Sequence, residues 1–452
     1  MYNPLLLPDL RQMLEENDIR GLQEFCTVLH PAVTAEVLEG LPCEDVWRVL
    51  SHCSLARQVE IFEFIGISKQ VELVDNFDRE RLSKLIEAMA PDDRVDLLSR
   101  MDPDHVESLL PLIAQAERSD IRKLLSYPDG SAGSIMTTEY ASLPEDITVA
   151  EALDRLRLQA PHREMIYYVY IIDDERRLTG MLSLTDLILA RPDTKLSKIK
   201  RREPISVNVD DDRQLAAQKL AKYDFIAIPV VDSQQHLVGI VTHDDVLDVV
   251  QEEATEDAYR AGAVAPLEDS YLETPLRTIA WKRGVWLLLL GGFSLVTAQV
   301  LSSYQNMSGE YLWMIIFLPL VLASGGNTGS QSATLVIRES AVQTLSRQDS
   351  LRMARRELFV GMMLGLCMGL LGYTAAIVWF RMTAAQCSIV AMTVFLVVTL
   401  GSVVGASLPL IFKRFGMDPA LMSNPLIAAL SDALGVVIYY SVAIFVIERM
   451  AR

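Results

Sequence analysis

Ser423-Asn424-Pro425-Leu426-Ile427-Ala428-Ala429-Leu430-Ser431-Asp432-Ala433-Leu434-Gly435-Val436-Val437-Ile438-Tyr439-Tyr440 is long and apolar enough to cross a bilayer, yet it carries Asp432 near its middle. An ionisable side chain at that depth costs at least about 2.5 kcal/mol, so it must meet a partner, water or an ion. Two readings follow. Asp432 is either a paired, buried carboxylate tying helices together or a cation-binding position.

Working outward, the chain has 452 residues, half of them hydrophobic, and a formal net charge of −18. That length predicts several domains. Residues before about Pro275 read as soluble and those after it as membrane-embedded. Residues 1–10 lack a basic segment followed by an apolar one, so no cleavable signal is expected. Cys26, Cys43, Cys53, Cys367 and Cys387 are widely spaced, without a CxxC pair, as expected of reduced thiols in a cytosolic soluble half. The acidity lies in that half and reads either as a solvated surface or as a sink for cations. No basic patch stands out, which argues against nucleic acid as a partner.

Residues 5–125 show apolar positions at three- and four-residue steps, as in Val59, Phe62, Ile65 and Leu82, Leu85, Ile86, Met89. Pro-acid pairs such as Pro91-Asp92-Asp93 and Pro103-Asp104 mark helix starts, with acids at the positive end of each dipole. The pattern predicts a superhelix of stacked helical hairpins. Asp92, Asp93 and Asp96 read first as capping residues and second as cation ligands.

A turn-rich break, Tyr127-Pro128-Asp129-Gly130-Ser131-Ala132-Gly133, opens an internal duplication. Val169-Tyr170-Ile171-Ile172-Asp173 through Gly180-Met181-Leu182-Ser183-Leu184-Thr185-Asp186 matches Ile228-Pro229-Val230-Val231-Asp232 through Gly239-Ile240-Val241-Thr242-His243-Asp244-Asp245. Each copy reads as a strand, a polar turn, a second strand after Gly, and a helix capped by Ser or Thr. With the preceding helices, 150–158 and 214–223, each forms a β-α-β-β-α unit. The two copies resemble a tandem cystathionine-β-synthase (CBS) pair. That resemblance implies a regulatory module whose cleft can take an adenine nucleotide such as ATP, with Asp186 and Asp245 at the ribose-contacting positions.

Asp244, Asp245, Asp248, Glu252, Glu253, Glu256 and Asp257 follow without an interrupting base. On a helix, 245, 248, 252 and 256 share one face, and like charges so placed destabilise it. The bland reading is a solvated acidic face. The sharper one is that divalent cations neutralise the row, and oxygen-only ligands favour Mg²⁺ or Ca²⁺.

Five spans are expected, at about 285–301, 312–337, 358–380, 388–412 and 421–447. Lys282, Arg283, Arg338, Arg347, Arg352, Arg355, Arg356, Lys413 and Arg414 fall on one side, and Arg381 alone on the other. The positive-inside rule then predicts a cytosolic N-terminus and an outside C-terminus. The second span holds Pro319, Gly325, Gly326, Asn327, Gly329 and Gln331. These imply a broken helix or a close backbone approach, tolerated only against protein or a water-filled path. Glycine-mediated packing accounts for the glycines but not for Asn327 or Gln331. In the fifth span Asn424, Ala428, Ser431, Gly435 and, at the edge, Asp432 share one side. Asp418, in Gly416-Met417-Asp418-Pro419-Ala420, adds an acid at the inner end, where an N-cap role would suffice.

In order, an acidic helical N-domain (1–130), a tandem CBS pair (131–250), a connecting helix (251–280) and a five-helix membrane domain (281–452) resemble the MgtE family of magnesium channels and transporters. The motifs that carry it are Tyr127–Gly133, Glu253-Ala254-Thr255-Glu256-Asp257, Ser324-Gly325-Gly326-Asn327-Thr328-Gly329-Ser330-Gln331-Ser332-Ala333-Thr334 and Gly416–Ala420 with Ser423 through Asp432. The resemblance implies a non-enzymatic, multi-pass membrane protein that takes up Mg²⁺ as a homodimer in the lipid bilayer. Its ion path would lie on the two-fold axis, with Asp432 holding hydrated Mg²⁺ and Asn424 at the cytosolic mouth. It further implies that Asp224, Asp245, Asp248, Glu253, Glu256 and Asp257 sense cytosolic Mg²⁺ between the CBS pair and a pore-blocking plug helix. Asp92 and Asp96 would serve on the N-domain side and Asp418 near the inner mouth. Two other classes are weighed. A nucleotide-sensing transporter of an organic or anionic substrate fits poorly with an intramembrane acid. A CBS-regulated enzyme would need a catalytic constellation, and none appears.

Overall fold

The computed structural model describes residues 5–75, 79–160, 163, 165–201, 204–267, 271–272, 274–304, 311–342, 346–415 and 423–451. The chain divides into two compact units, Met1–Val250 and Gln251–Arg452.

Among the described residues the first unit opens with ten short α-helices, from Leu7–Glu16 to Gln115–Leu124. Pro91 and Pro103, read above as helix starts, sit in first turns, as does Pro31, while Asp18, Ser54 and Asp102 accept backbone N–H groups as N-caps. Along much of the array a helix packs against the one two places on, which makes a superhelix of stacked hairpins. A single apolar core runs through it, from Leu10 and Leu38 through Phe62 and Ile86 to Ile121.

The duplicated segment forms two three-stranded sheets, β1 (Tyr140–Pro144), β2 (Met165–Ile172), β3 (Leu178–Ser183) and β4 (Val207–Asn208), β5 (Ala227–Val231), β6 (Leu237–Thr242). In each, the first pair is parallel and the second antiparallel. The parallel pair requires a crossover, supplied by helices Val149–Gln159 and Arg213–Tyr223. The second strands do not begin after glycine as expected: Gly180 and Gly239 are the third residues of β3 and β6. Each is needed for a close approach. A Cβ on Gly180 would lie 2.9 Å from the Arg201 carbonyl oxygen, and one on Gly239 2.9 Å from that of Thr137. There Met181 bridges to Arg201, and Thr137 to Ile240, so the segment leading into each repeat adds to the sheet of the other.

Among the described residues of the second unit, five helices are long and apolar enough to cross a membrane: Leu276–Ser302, Trp313–Val342, Arg347–Val378, Ala384–Arg414 and Asn424–Ala451. The fourth is central, packing on the second, third and fifth, while the first packs chiefly on the fifth. Val321, Val394, Val397, Val436, Tyr439 and Tyr440 fill the core, and the buried Tyr439 hydroxyl donates to the Met314 carbonyl at 3.1 Å. Of the two outcomes expected for the second span, the close approach is the one realised. The helix is continuous through Pro319, and its Gly325 and Gly329 lie against Gly401 and Gly405 of the fourth.

Candidate cation sites

Asp432 occupies the third turn of the fifth membrane helix and is half-buried. Its Oδ1 faces Gly326 of the second helix, where an added Cβ would sit 3.6 Å from that oxygen and 3.3 Å from the Ala428 Cβ. Among the described residues Asp432 has no hydrogen-bond or ion-pair partner. Next to Gly326 on the second helix, Asn327 and Gln331 are four apart and exposed in the single chain. Polar side chains at that depth have to face water or protein rather than lipid. Asn424, at the start of the fifth helix, accepts the Thr334 hydroxyl at 3.3 Å through Oδ1 and the Ser330 hydroxyl at 3.1 Å through its carbonyl. It therefore ties the second helix to the fifth. Asp418 lies outside the described residues.

Sequence reasoning missed a further acid, Glu357, near the start of the third membrane helix. It accepts the hydroxyl of the buried Ser332 at 2.6 Å. Ser324, Thr328 and Ser332, four apart and all buried, were the available signal.

In the first unit the structure brings together two acids distant in sequence. The side chain of Asp92, 8% exposed, adjoins that of Asp245, close enough to act on its carboxyl. Ala90, not an acid, is the N-cap of helix Pro91–Arg100, and Asp92 and Asp93 lie in its first turn. Val95, one turn on, packs into the core of the second CBS repeat. Asp245 also accepts the backbone N–H and the hydroxyl of Thr242, the residue just before helix His243–Ala261. Burial foremost, with Asp244 alongside, raises the Asp245 carboxyl above its ordinary range, against the lowering effect of the Thr242 hydrogen bonds and of the neighbouring Asp92. Two carboxyl groups in contact repel unless a proton or a cation is shared.

The other acids have separate surroundings. Asp224 takes the left-handed conformation, φ 53°, at the end of helix Arg213–Tyr223. Asp96 and Asp248 are exposed. The acidic row runs along helix His243–Ala261, where Glu256 pairs with Arg260, a base just beyond the row. Burial first, then Glu253, raises the Asp257 carboxyl; Arg260 and Arg338 oppose this. Among the described residues no three His, Cys, Asp or Glu side chains converge as a ready-made metal cage.

Asp186 closes a capping box with Ser183, at 2.9 and 3.0 Å, and lies 4.0 Å from Arg201. Despite some burial, the Ser183 hydrogen bonds and Arg201 hold its carboxyl below the ordinary range. Tyr168 is opposite Ser183 in the sheet and meets Phe225 edge-on at 6.1 Å. This aromatic pair beside a carboxylate was not read from the sequence, because its members come from different repeats.

Family models match three parts of the chain: the MgtE intracellular N domain at residues 29–130, CBS domains at 132–193 and 196–252, and MgtE, a divalent cation transporter, at 318–442. The magnesium transporter MgtE of Thermus thermophilus is 36% identical over 98% of this chain and 99% of its own length. That of Bacillus subtilis is 30% identical over 95% of each chain. The solved cytosolic domain of the Mg²⁺ channel MgtE in complex with ATP is 36% identical and superposes with a TM-score of 0.52, covering 54% of this chain and all of that one.

Proposed function

The chain belongs to the MgtE family of divalent cation transporters, and from that premise we propose that it is a Mg²⁺-selective channel or transporter for Mg²⁺ uptake, with Asp432 as the cation site of its pore. One observation carries this reading: a carboxylate in mid-span, without a partner among the described residues, set against a glycine of the polar second helix. Mg²⁺ gives up its water reluctantly and binds through one or two carboxylates with much of its shell retained. A ring of acids is a common basis of cation selectivity. The exposed Asn327 and Gln331 support a path shared between two subunits, each giving one Asp432 to a two-fold axis. Asn424 then lies at the mouth and Asp418 just inside it, with the N-terminus cytosolic and the C-terminus outside.

Gating follows from the acidic surfaces. The Asp92–Asp245 contact supplies two oxygen ligands whose repulsion a divalent cation would relieve, and the donor chemistry fits Mg²⁺. Asp96, Asp224, Asp248, Glu253, Glu256 and Asp257 complete a set spread over the N-domain, the CBS pair and the plug helix. When cytosolic Mg²⁺ is high, cations draw these surfaces together and shift the population toward a closed state, by as much as their affinities for the two states differ. At low Mg²⁺ the surfaces repel and the pore opens. The Tyr168–Phe225 pair beside Asp186 fits a stacked base and a ribose hydroxyl, so a regulatory ATP belongs in this cleft.

The test is flux through wild type and Asp432→Ala reconstituted in liposomes with Mg²⁺ as the sole permeant cation. Wild type should conduct and Asp432→Ala should not. Undiminished Mg²⁺ flux through the variant would remove Asp432 from the pore.

A further inference from the structure

Two cysteines come together in the N-domain from different helices. Cys26 lies in the last turn of helix Ile19–Val28, and Cys53 in the turn that joins helix Cys43–Leu50 to helix Leu55–Glu63. Arg57, in the first turn of helix Leu55–Glu63, donates through Nε to the Cys26 carbonyl at 2.7 Å and through a second nitrogen to the Leu29 carbonyl. This clasp draws the start of that helix, with Cys53 just before its Ser54 N-cap, onto the end of helix Ile19–Val28. Both side chains belong to one apolar core. Cys26 is 1% exposed within it, and the half-buried Cys53 packs against it. Both are free thiols, and they adjoin closely enough for each to act on the other's ionisation.

The two are chemically unequal. The contact with Cys26 first, and then the Arg57 guanidinium, hold the Cys53 thiol below its ordinary value against the effect of burial. Contact with Cys53, then burial, pushes the Cys26 thiol up. The thiolate is the nucleophile of thiol–disulfide exchange, and a cation beside a partly exposed cysteine favours it. An oxidant arriving from solvent therefore meets Cys53, whereas Cys26 is reached only through the Cys53 sulfur. Packing accounts for Cys26 as a small apolar side chain. It does not account for a second, accessible thiol set against it beside a guanidinium.

We propose that Cys53 and Cys26 form a reversible intramolecular disulfide that tethers helix Ile19–Val28 to the start of helix Leu55–Glu63, and that small disulfide oxidants drive it. The Cys53 thiolate attacks one sulfur of the oxidant, whose S–S bond breaks; one thiolate leaves and a mixed disulfide stands on Cys53. The Cys26 thiol gives its proton to that departed thiolate and attacks the Cys53 sulfur. This expels the second thiolate, which takes a proton from solvent. Two protein thiols lose two electrons in all, and the oxidant is reduced to two thiols. No carboxylate takes part, so the device is independent of the Mg²⁺ sites described above.

The experiment treats the full-length, detergent-solubilised protein with oxidised glutathione, blocks the remaining thiols with iodoacetamide in denaturant, and maps the peptides by mass spectrometry. Wild type should yield a cross-linked Cys26–Cys53 peptide that dithiothreitol removes. Cys26→Ala should stop at the glutathione adduct on Cys53, for want of the second thiol. Cys53→Ser should leave Cys26 a free thiol. The proposal is overturned if both cysteines of wild type stay reduced, or if Cys53 carries glutathione while Cys26 stays reduced. Linkage of either to Cys43, or a glutathione adduct on Cys26 in Cys53→Ser, overturns it as well. The wild-type map reads both sulfurs directly, so it decides the question even where Cys26→Ala fails to fold.

Discussion

Gly405→Ala tests the packing that holds the proposed pore wall. A Cβ at that position falls 2.1 Å from the Gly329 carbonyl oxygen, and 2.8 and 2.9 Å from its carbonyl carbon and Cα. All three are backbone atoms of the second membrane helix, so no rotamer change gives relief and the two helices have to move apart by about 1 Å. A gap of that size forfeits about a quarter to a half of each dispersion contact along the seam. Overpacking of this severity costs about 3 kcal/mol, and alanine returns about 1 kcal/mol of helix propensity. The net loss of about 2 kcal/mol lowers the melting temperature by roughly 4–8 °C for a unit of this size. Gly435→Ala is the matched control. Its Cβ meets only side-chain atoms at 3.7 Å or more, so the propensity gain stands alone and the variant should melt at or slightly above wild type. The assay is thermal unfolding of both variants in detergent, followed by Mg²⁺ flux. Displacing the second helix also carries Gly326 away from Asp432, so Gly405→Ala should lose flux while Gly435→Ala keeps it. A Gly405→Ala protein that melts with wild type and conducts normally would refute the close-approach account.

Replacing Glu253, Glu256 and Asp257 together by Ala should shift the cytosolic Mg²⁺ concentration that closes the pore in patch recordings; an unaltered closing concentration would remove the connecting helix from gating. Tyr168→Ala and Asp186→Ala should each weaken ATP binding about tenfold or more, one by loss of stacking, the other by loss of a hydrogen bond to charge; unchanged affinity in a nucleotide titration would place ATP elsewhere. Glu63 provides a pH test. Burial foremost raises its carboxyl above the ordinary value of 4.5, with Glu60 and Glu139 adding to this and the Ala90 N–H, bonded at 3.0 Å, and Arg94 opposing it. With the folded value raised, its contribution is fully present below 4.5 and is lost as pH rises through the raised value. In Mg²⁺-free buffer, Glu63→Gln should therefore flatten the fall in melting temperature across that window, and an identical slope in both proteins would discount the effect.

Several features of the candidate sites were legible because their signals are local. Asp432 announces itself by cost: a carboxylate among apolar residues needs an explanation wherever the helix packs. The acidic row from Asp244 to Asp257 and the capping pairs Ser183–Asp186 and Thr242–Asp245 are likewise short-range patterns. What escaped were meetings between distant segments: Asp92 with Asp245, Ser332 with Glu357, Tyr168 with Phe225, and Arg260 with a row that had seemed free of bases.

By itself the sequence determined the order of parts, the five spans, the duplicated β-α-β-β-α unit and the need for Asp432 to face something other than lipid. Periodicity, capping and hydropathy each act within a few turns of one segment, and so they can be read from it. Only the tertiary structure decided that the second membrane helix runs unbroken, that its glycines are used against Gly401 and Gly405, and that Gly180 and Gly239 lie inside strands to admit the other repeat's backbone. Those outcomes depend on which remote surface arrives at a given face. Side-chain spacing along one element shows that a small residue permits close approach, but it does not say which backbone will take the space.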